Sequence, residues 1–230
     1  MSVNINTVYQ AVLAVTNKEQ RGYITPQEFN YLANQAQLDI FEQYFYDVNQ
    51  FSRLPGNSTE YSDMVDILDE KISLFEKTSQ AITGGITLPS DLYRLGSVIF
   101  NNAEASQVKQ KDWIYIKSSP LNQPTNDFPI FIKDESGVKI YGKDASGNVE
   151  QKTSSVTCNY IKQPAVVSWA YNSVTGTYDA SNSINFELHP SEETELIIKI
   201  LGLAGIILKD NSLYGIASGE DVKNTQQEKS

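Results

Sequence analysis

The chain is short of the residues that carry covalent and metal chemistry: it has one cysteine, Cys158, and one histidine, His189, among 230 residues. A lone cysteine excludes an intrachain disulfide and any zinc site built on several thiolates. It lies in SVTCNYI, where Val156, Cys158 and Tyr160 alternate with polar Thr157 and Asn159, the pattern of a small buried strand residue. A lone histidine excludes a metal-binding histidine pair. The sequence also has no phosphate-binding loop, no G-x-S-x-G elbow and no Cys–His combination with an orienting group. Neither an enzyme nor a cofactor is expected.

Positive charge is scarce as well, with 18 Lys and Arg against 28 Asp and Glu, a net charge of −10. Gripping nucleic-acid phosphates needs clustered cations, so specific DNA binding is disfavoured, while an acidic wall lets DNA slide past. The first residues, MSVNINTVYQAVLAV, lack a basic stretch, a long apolar core and a cleavage site, so synthesis in a cytoplasm is expected. The longest apolar segment, Leu196 to Leu208, is interrupted by Lys199 and falls short of the roughly 20 residues a bilayer crossing needs. No membrane partner is expected.

What is present reads as helices, then strands, then a helix. Ile5, Val8, Val12 and Val15 share a helical face over residues 4–18. In RGYITPQEFNYLANQAQLDIFEQYFYDV, Thr25 is an N-cap, Pro26 takes the first helical position and Glu28 completes a capping box. The face that follows carries Phe29, Leu32, Ala33, Ala36, Ile40, Phe41, Tyr44 and Phe45, wide enough for two packing partners. Tyr61, Met64, Val65, Leu68, Ile72 and Phe75 mark a third amphipathic helix, with Asp63, Asp66, Asp69, Glu70 and Lys71 on its solvated side.

From Gly84 the pattern turns to β: GGITLP, YRLGSVIF, FPIFIKD, VKIYGK and SVTCNYIK are short, rich in β-branched and aromatic residues, and separated by turn formers. A helical interruption is expected near SQVKQKDWIYIK. The near-repeat KDESG and KDASG superficially resembles calcium loops, but the ligand spacing of such a loop is missing, and Asp–Ser–Gly hairpin turns around VKIYG are expected instead.

NFELHPSEETELIIKILGLAGIILKD, residues 185–210, places Glu187, Glu192, Glu193 and Glu195 around His189. Its grammar repeats that of Thr25-Pro26-Gln27-Glu28: a strand ends, Pro190 opens a helix, and carboxylates crowd the positive end of the helix dipole. Changing Glu192 or Glu193 to Gln is then expected to alter stability only slightly. Gly202, Ala204 and Gly205 imply close approach of another backbone to this helix. The polar end after Asp210 is expected to lack a fixed structure of its own, with Leu213, Tyr214 and Ile216 as anchors for docking on a neighbour.

The expected class is α+β. Amphipathic helices in 1–83 and the helix in 189–210 form a helical body, 84–188 forms a central antiparallel, sandwich-like part, and 211–230 is a C-terminal extension.

NKEQRGYITPQEFNYLANQAQLDIFEQYF, ITLPSDLYRLGSV, and YIKQPAVVSWAYN together with NFELHPSEETELIIKILGLAGI resemble structural proteins of tailed phages, especially the crAss-like group, that form ring or adaptor subunits of the head-to-tail connector. The resemblance spans the chain in pieces and rests on packing and capping residues. It implies a noncatalytic virion protein at the portal and tail vertex, forming a dodecameric ring of its own copies. Such a ring contacts the portal and adjoining ring or tail proteins, and DNA passes through its lumen without specific binding. The interface residues it implies are Phe29, Ile40, Phe41, Tyr44 and Phe45, Gly202 and Gly205, and Leu213, Tyr214 and Ile216. The alternative is a virion surface or fibre module that binds carbohydrate or host protein through Trp113, Trp169 and tyrosines.

Overall fold

The computed structural model describes residues 2–17, 24–51, 59–172, 176–207 and 211–228; within these, the side-chain surroundings of 17, 51, 59–64, 206–207, 211–214 and 224–228 fall outside the description. The class is α+β, as expected, and the chain divides into two compact units. One comprises 1–74 and 164–230; the other is 75–163. Residues 164–188, grouped with the β part on sequence, belong to the first.

The first unit is helical. In α1 (Ile5–Asn17), Asn4 Oδ1 accepts from the backbone N–H groups of Asn6 and Thr7, an N-cap, and Ile5, Val8, Tyr9 and Val12 are buried. Val15 is exposed, and Thr16 takes the inward position instead, its hydroxyl donating to the Val12 carbonyl at 3.0 Å. Eleven residues of helix bring position 16 back to within roughly 20° of position 5, whereas 15 lies well off that line.

Helix α2 (Pro26–Phe51) starts where the capping box places it. Thr25 Oγ1 accepts from Glu28 N at 3.2 Å, and Glu28 Oε2 accepts from Thr25 N at 2.8 Å. The wide face of α2 is covered within the same chain, by α3 (Thr59–Ser73), by α5 (Glu193–Ile207) and, at Phe29, by Tyr9 of α1. The polar end expected to be unstructured is instead helix α6 (Asn211–Glu228), laid along α5. It carries few large apolar residues because it packs small on small: Ala217 is buried, and a Cβ on Gly202 would meet its methyl at 3.6 Å.

A third layer closes α2. The returning segment runs extended over 165–169, and its alternate residues are held by amide side chains one to two turns apart on α2. Asn30 donates to Trp169 O (3.2 Å) and accepts from Trp169 N (2.7 Å). Asn34 does the same with Val167, at 2.9 Å each way. Gln37 donates to Ala165 O (2.9 Å) and accepts from Glu187 N (3.2 Å). Asn30 and Asn34 thus present to the segment what a neighbouring strand would present, a donor and an acceptor at every second residue, and Gln37 ties Ala165 to Glu187. Isolated antiparallel bridges, Ser168 to Ile184 and Phe186 to Val3, carry the segment on to the start of α1.

The second unit is a curled, mostly antiparallel sheet of seven strands in the order β1-β7-β2-β3-β4-β5-β6. The strands are β1 (Glu76–Ala81), β2 (Leu92–Phe100), β3 (Ala103–Gln107), β4 (Ile130–Asp134), β5 (Gly137–Lys143), β6 (Val149–Lys152) and β7 (Val156–Lys162). Residues from both halves, including Val98, Phe131, Ile140 and Cys158, share one apolar cluster. On β7, Asn159 accepts from Ser79 N and donates to Ser97 Oγ, stitching β1 and β2 across the central strand where both are out of regular register.

GGITLP, expected as a strand, is a tight turn: Gly84 and Gly85 both have positive φ, near 61° and 67°, which breaks extended backbone. The Ile86 carbonyl in that turn accepts from Val138 N, and a Cβ at Gly137 (φ 132°) would collide with it. The Asp–Ser–Gly turns around VKIYG are as expected, with Asp134 Oδ1 accepting from Ser136 N and Asp144 Oδ1 from Ser146 N and Asn148 N. β3 and β4 form the parallel pair of the sheet. Parallel neighbours need a long crossover, and residues 108–129 supply it, including helix α4 (Gln110–Ser118).

Two outcomes follow. Asn34→Ala leaves the Val167 N–H and carbonyl without their partner, so it should lower unfolding free energy by about 2–4 kcal/mol in urea titration, against little change for Tyr31→Ala on the exposed side. Hydrogen bonds from Thr25, backbone first and hydroxyl second, hold the Glu28 carboxyl below its ordinary value of 4.5. Folding therefore favours the ionised form. The stability difference between the native chain and Glu28→Ala should be full above pH 4.5 and shrink as pH falls through the lowered native value.

Candidate interaction surface

Three of the four carboxylates around His189, those of Glu187, Glu192 and Glu195, are committed to architecture. His189 caps a single 3-10 turn, Pro190–Glu192, its Nδ1 accepting from Ser191 N at 3.2 Å and lying 2.8 Å from Ser191 Oγ. Glu187 accepts from Ala165 N at 2.9 Å. Glu195 lies 3.5 Å from Lys199, whose ammonium also reaches Asp221 on α6 at 3.2 Å. Burial works against the charge of Lys199, and Asp221 and Glu195 outweigh it, so its pKa is raised above that of an ordinary lysine. Among the described residues no group of three or more His, Cys, Asp or Glu is arranged to hold a metal ion.

Glu192 departs from expectation. It is buried and pairs with Lys71 of α3 at 2.6 Å, while Ser191 Oγ donates to the same oxygen. The Lys71 ammonium also stands 5.6 Å from the centre of the Tyr44 ring on α2. Three elements therefore meet at one charge pair, which the sequence showed only as two surface-like charges.

Cys158 is buried, and desolvation raises the pKa of its thiol, as fits a packing residue. Tyr160 beside it is pushed up to about 12, first by burial and then by its hydrogen bond to Asp91 at 2.8 Å.

The interface residues expected from sequence mostly prove to be internal. Phe29, Ile40, Phe41 and Tyr44 are buried by the chain itself, Phe45 is half-buried against the Phe41 ring, and Gly205 is buried. The wide face of α2 meets α3, α5 and the amide-held segment of the same chain, so these residues are not free to meet a neighbour. Gly202 gives the close helix approach expected of it, but to α6 of the same chain. Leu213 and Tyr214 lie in α6 with their side chains outside the described residues, while Ile216 is 68% exposed. Of the two tryptophans, Trp169 is buried among Tyr9, Tyr171 and Tyr178 and donates to Asn6, so it is not available to stack on a ligand. Trp113 is half-buried and stacked on Tyr141, ring centres 4.2 Å apart.

The surface that sequence reasoning missed is on the crossover. Ile114 and Tyr115 of α4 are 71% and 75% exposed, and in the loop that follows, Leu121 and Phe128 are 95% and 79% exposed. The loop is nevertheless anchored: Gln123 donates to Lys117 O, Phe128 N donates to Thr125 Oγ1, and Asn126 Oδ1 accepts from Lys143 N of β5. A signal was present in WIYI. Four consecutive apolar residues in a helix point all around it, so when Trp113 packs on the sheet, its neighbours must face out.

No helix among the described residues is long and apolar enough to cross a membrane. Compared with known proteins, the chain matches no family model and no curated protein.

The Lys71–Glu192 pair sets a measurable outcome. Glu192→Gln leaves a buried ammonium without its counter-charge and should lower stability by about 3–5 kcal/mol. Glu193→Gln should change it by no more than about 1 kcal/mol. The double change Lys71→Met with Glu192→Leu should recover much of the loss in the same chemical denaturation series.

Proposed function

We propose that the chain is a noncatalytic structural subunit of a tailed-phage particle, a ring protein in the connector between portal and tail. The observation that carries this reading is the concentration of strongly exposed large side chains on one segment, where others such as Tyr31, Val166 and Ile216 stand exposed on separate elements. Ile114, Tyr115, Leu121 and Phe128 are presented from an anchored segment rather than a loose one. Solvent-facing apolar side chains gathered on one built element mark a surface made to be covered. The interface is therefore carried by the crossover of the sheet unit, not by the α2 face.

Charge supports the same reading. At −10 per copy, a ring of such chains repels the DNA phosphates that it encloses, so DNA passes without being held. Of the segments that resemble connector proteins of crAss-like phages, the first and last fall in the helical unit and its amide-held return, while ITLPSDLYRLGSV lies in the sheet unit.

Immunogold labelling of whole and disrupted phage particles from the source of this chain tests the proposal. Label at the single tail vertex, stronger after disruption, is the expected result. Label on fibres or over the capsid would replace the connector with a recognition module. Absence from particles in both states would overturn the structural role.

A further inference from the structure

Two exposed helix faces of this chain complement each other. The first is on α4, where Ile114 and Tyr115 stand beside Lys111, with Lys109 and Lys117 flanking them and Asp112 as the one acid of the helix, all exposed, so the face is basic on balance. The second is on α3. Its inner side is buried through Leu68 and Ile72, and its outer side shows Ile67 with Asp66 and Glu70; Leu74, in the turn that follows the helix, is also exposed. Ile67 and Glu70 stand one turn apart, so an apolar residue and an acid share a stripe. Among the described residues, none of these lysines and none of these acids has an ion-pair partner in its own chain.

We infer that α4 of one copy docks on α3 of the next, apolar against apolar and basic against acidic. This deepens the ring reading and rests on it. Charge selects the pairing. An α4 face against another α4 face sets lysines on lysines, and an α3 face against another α3 face sets carboxylates on carboxylates; both are repelled. Only α4 against α3 matches. Two copies that each give both faces to the other close as a dimer; otherwise each copy keeps one free face of each kind and the contact propagates until a larger ring closes. α6 is a poorer candidate. Its Ile216 and Val222 are exposed, but the charges beside them, Glu220 and Lys223, already pair with each other.

Charge reversal and mixing test the contact. The purified chain, sized by sedimentation velocity over a range of concentrations, is expected to assemble, and more weakly as salt rises. Lys111→Glu with Lys117→Glu makes both faces acidic, and Asp66→Lys with Glu70→Lys makes the second face basic like the first. Each variant alone should weaken assembly by at least about 100-fold, with unchanged circular dichroism. An equimolar mixture should assemble again, because each variant supplies the face that the other lacks. The contact is overturned if either variant assembles like the native chain, if the mixture does not recover, or if the native chain stays monomeric at the highest concentration reached. Native assembly indifferent to both reversals would remove this contact and leave the ring reading, which is judged separately by where the chain sits in the particle.

Discussion

The helical unit depends on a segment that has no strand to pair with. The chain leaves this unit at residue 74, builds the sheet, and returns at 164 as extended backbone with its N–H and carbonyl groups unpaired. Buried backbone groups must find partners. Here the partners are the amides of Asn30, Asn34 and Gln37, each with one donor and one acceptor in use. An amide is the side chain that copies a peptide group, so a helix can end a sheet-like edge without a strand. Trp169 is locked by the same device. Its backbone is held by Asn30 and its ring lies on Tyr9, which joins the return to α1 and α2 together.

Electrostatics shape the unit in a second way. The chain is poor in cations, and two of its lysines, Lys71 and Lys199, are drawn inward as counter-charges for Glu192, Glu195 and Asp221. Lys71 joins elements distant in sequence, α3 and the turn before α5, and Lys199 joins the consecutive helices α5 and α6. Desolvation makes such pairs costly to break, and they fix how the helices are matched more than they add to net stability. The inward use of lysine also leaves the acids of α3 unbalanced on the outside.

Local grammar was legible where the cause is local. The capping box at Thr25, the proline-opened turn at His189, the Asp–Ser–Gly hairpins and the four strands of alternating or continuous apolar residues all follow from a few neighbouring side chains. What escaped depends on distant partners. β1, EKTSQA, is polar throughout because it is an exposed edge, and only its pairing to β7 makes it a strand. β6 is short and polar as the opposite edge, while β3 lies inside the sheet and is a strand only through its pairing with β2 and β4. α6 has a weak apolar signal because Gly202 lets it approach α5 through Ala217. Asn30, Asn34 and Gln37 read as solvent-facing polar residues, since periodicity cannot reveal a backbone that arrives some 130 positions later. The broad face of α2 was seen correctly and its owner was not: width measures how much surface a helix buries, and the covering can come from the same chain.

That last point bears on how a subunit of this design meets its neighbours. A face buried in the chain is unavailable, so in the proposed assembly contacts between copies would fall to side chains the fold leaves out: the crossover helix of the sheet unit and the outer side of α3. When lysines of one copy meet acids of the next, equal and opposite charges are consumed, and the net charge of −10 per copy is untouched. The remaining surface, including any lumen, therefore has fewer cations to offset its acids than the isolated chain has. In the proposed ring, lateral pairing and a wall that does not hold DNA would both follow from one charge distribution: Lys71 and Lys199 are used inside the helical unit, Lys139 and Lys152 pair within the sheet unit, and the lysines of α4 would be taken up between copies.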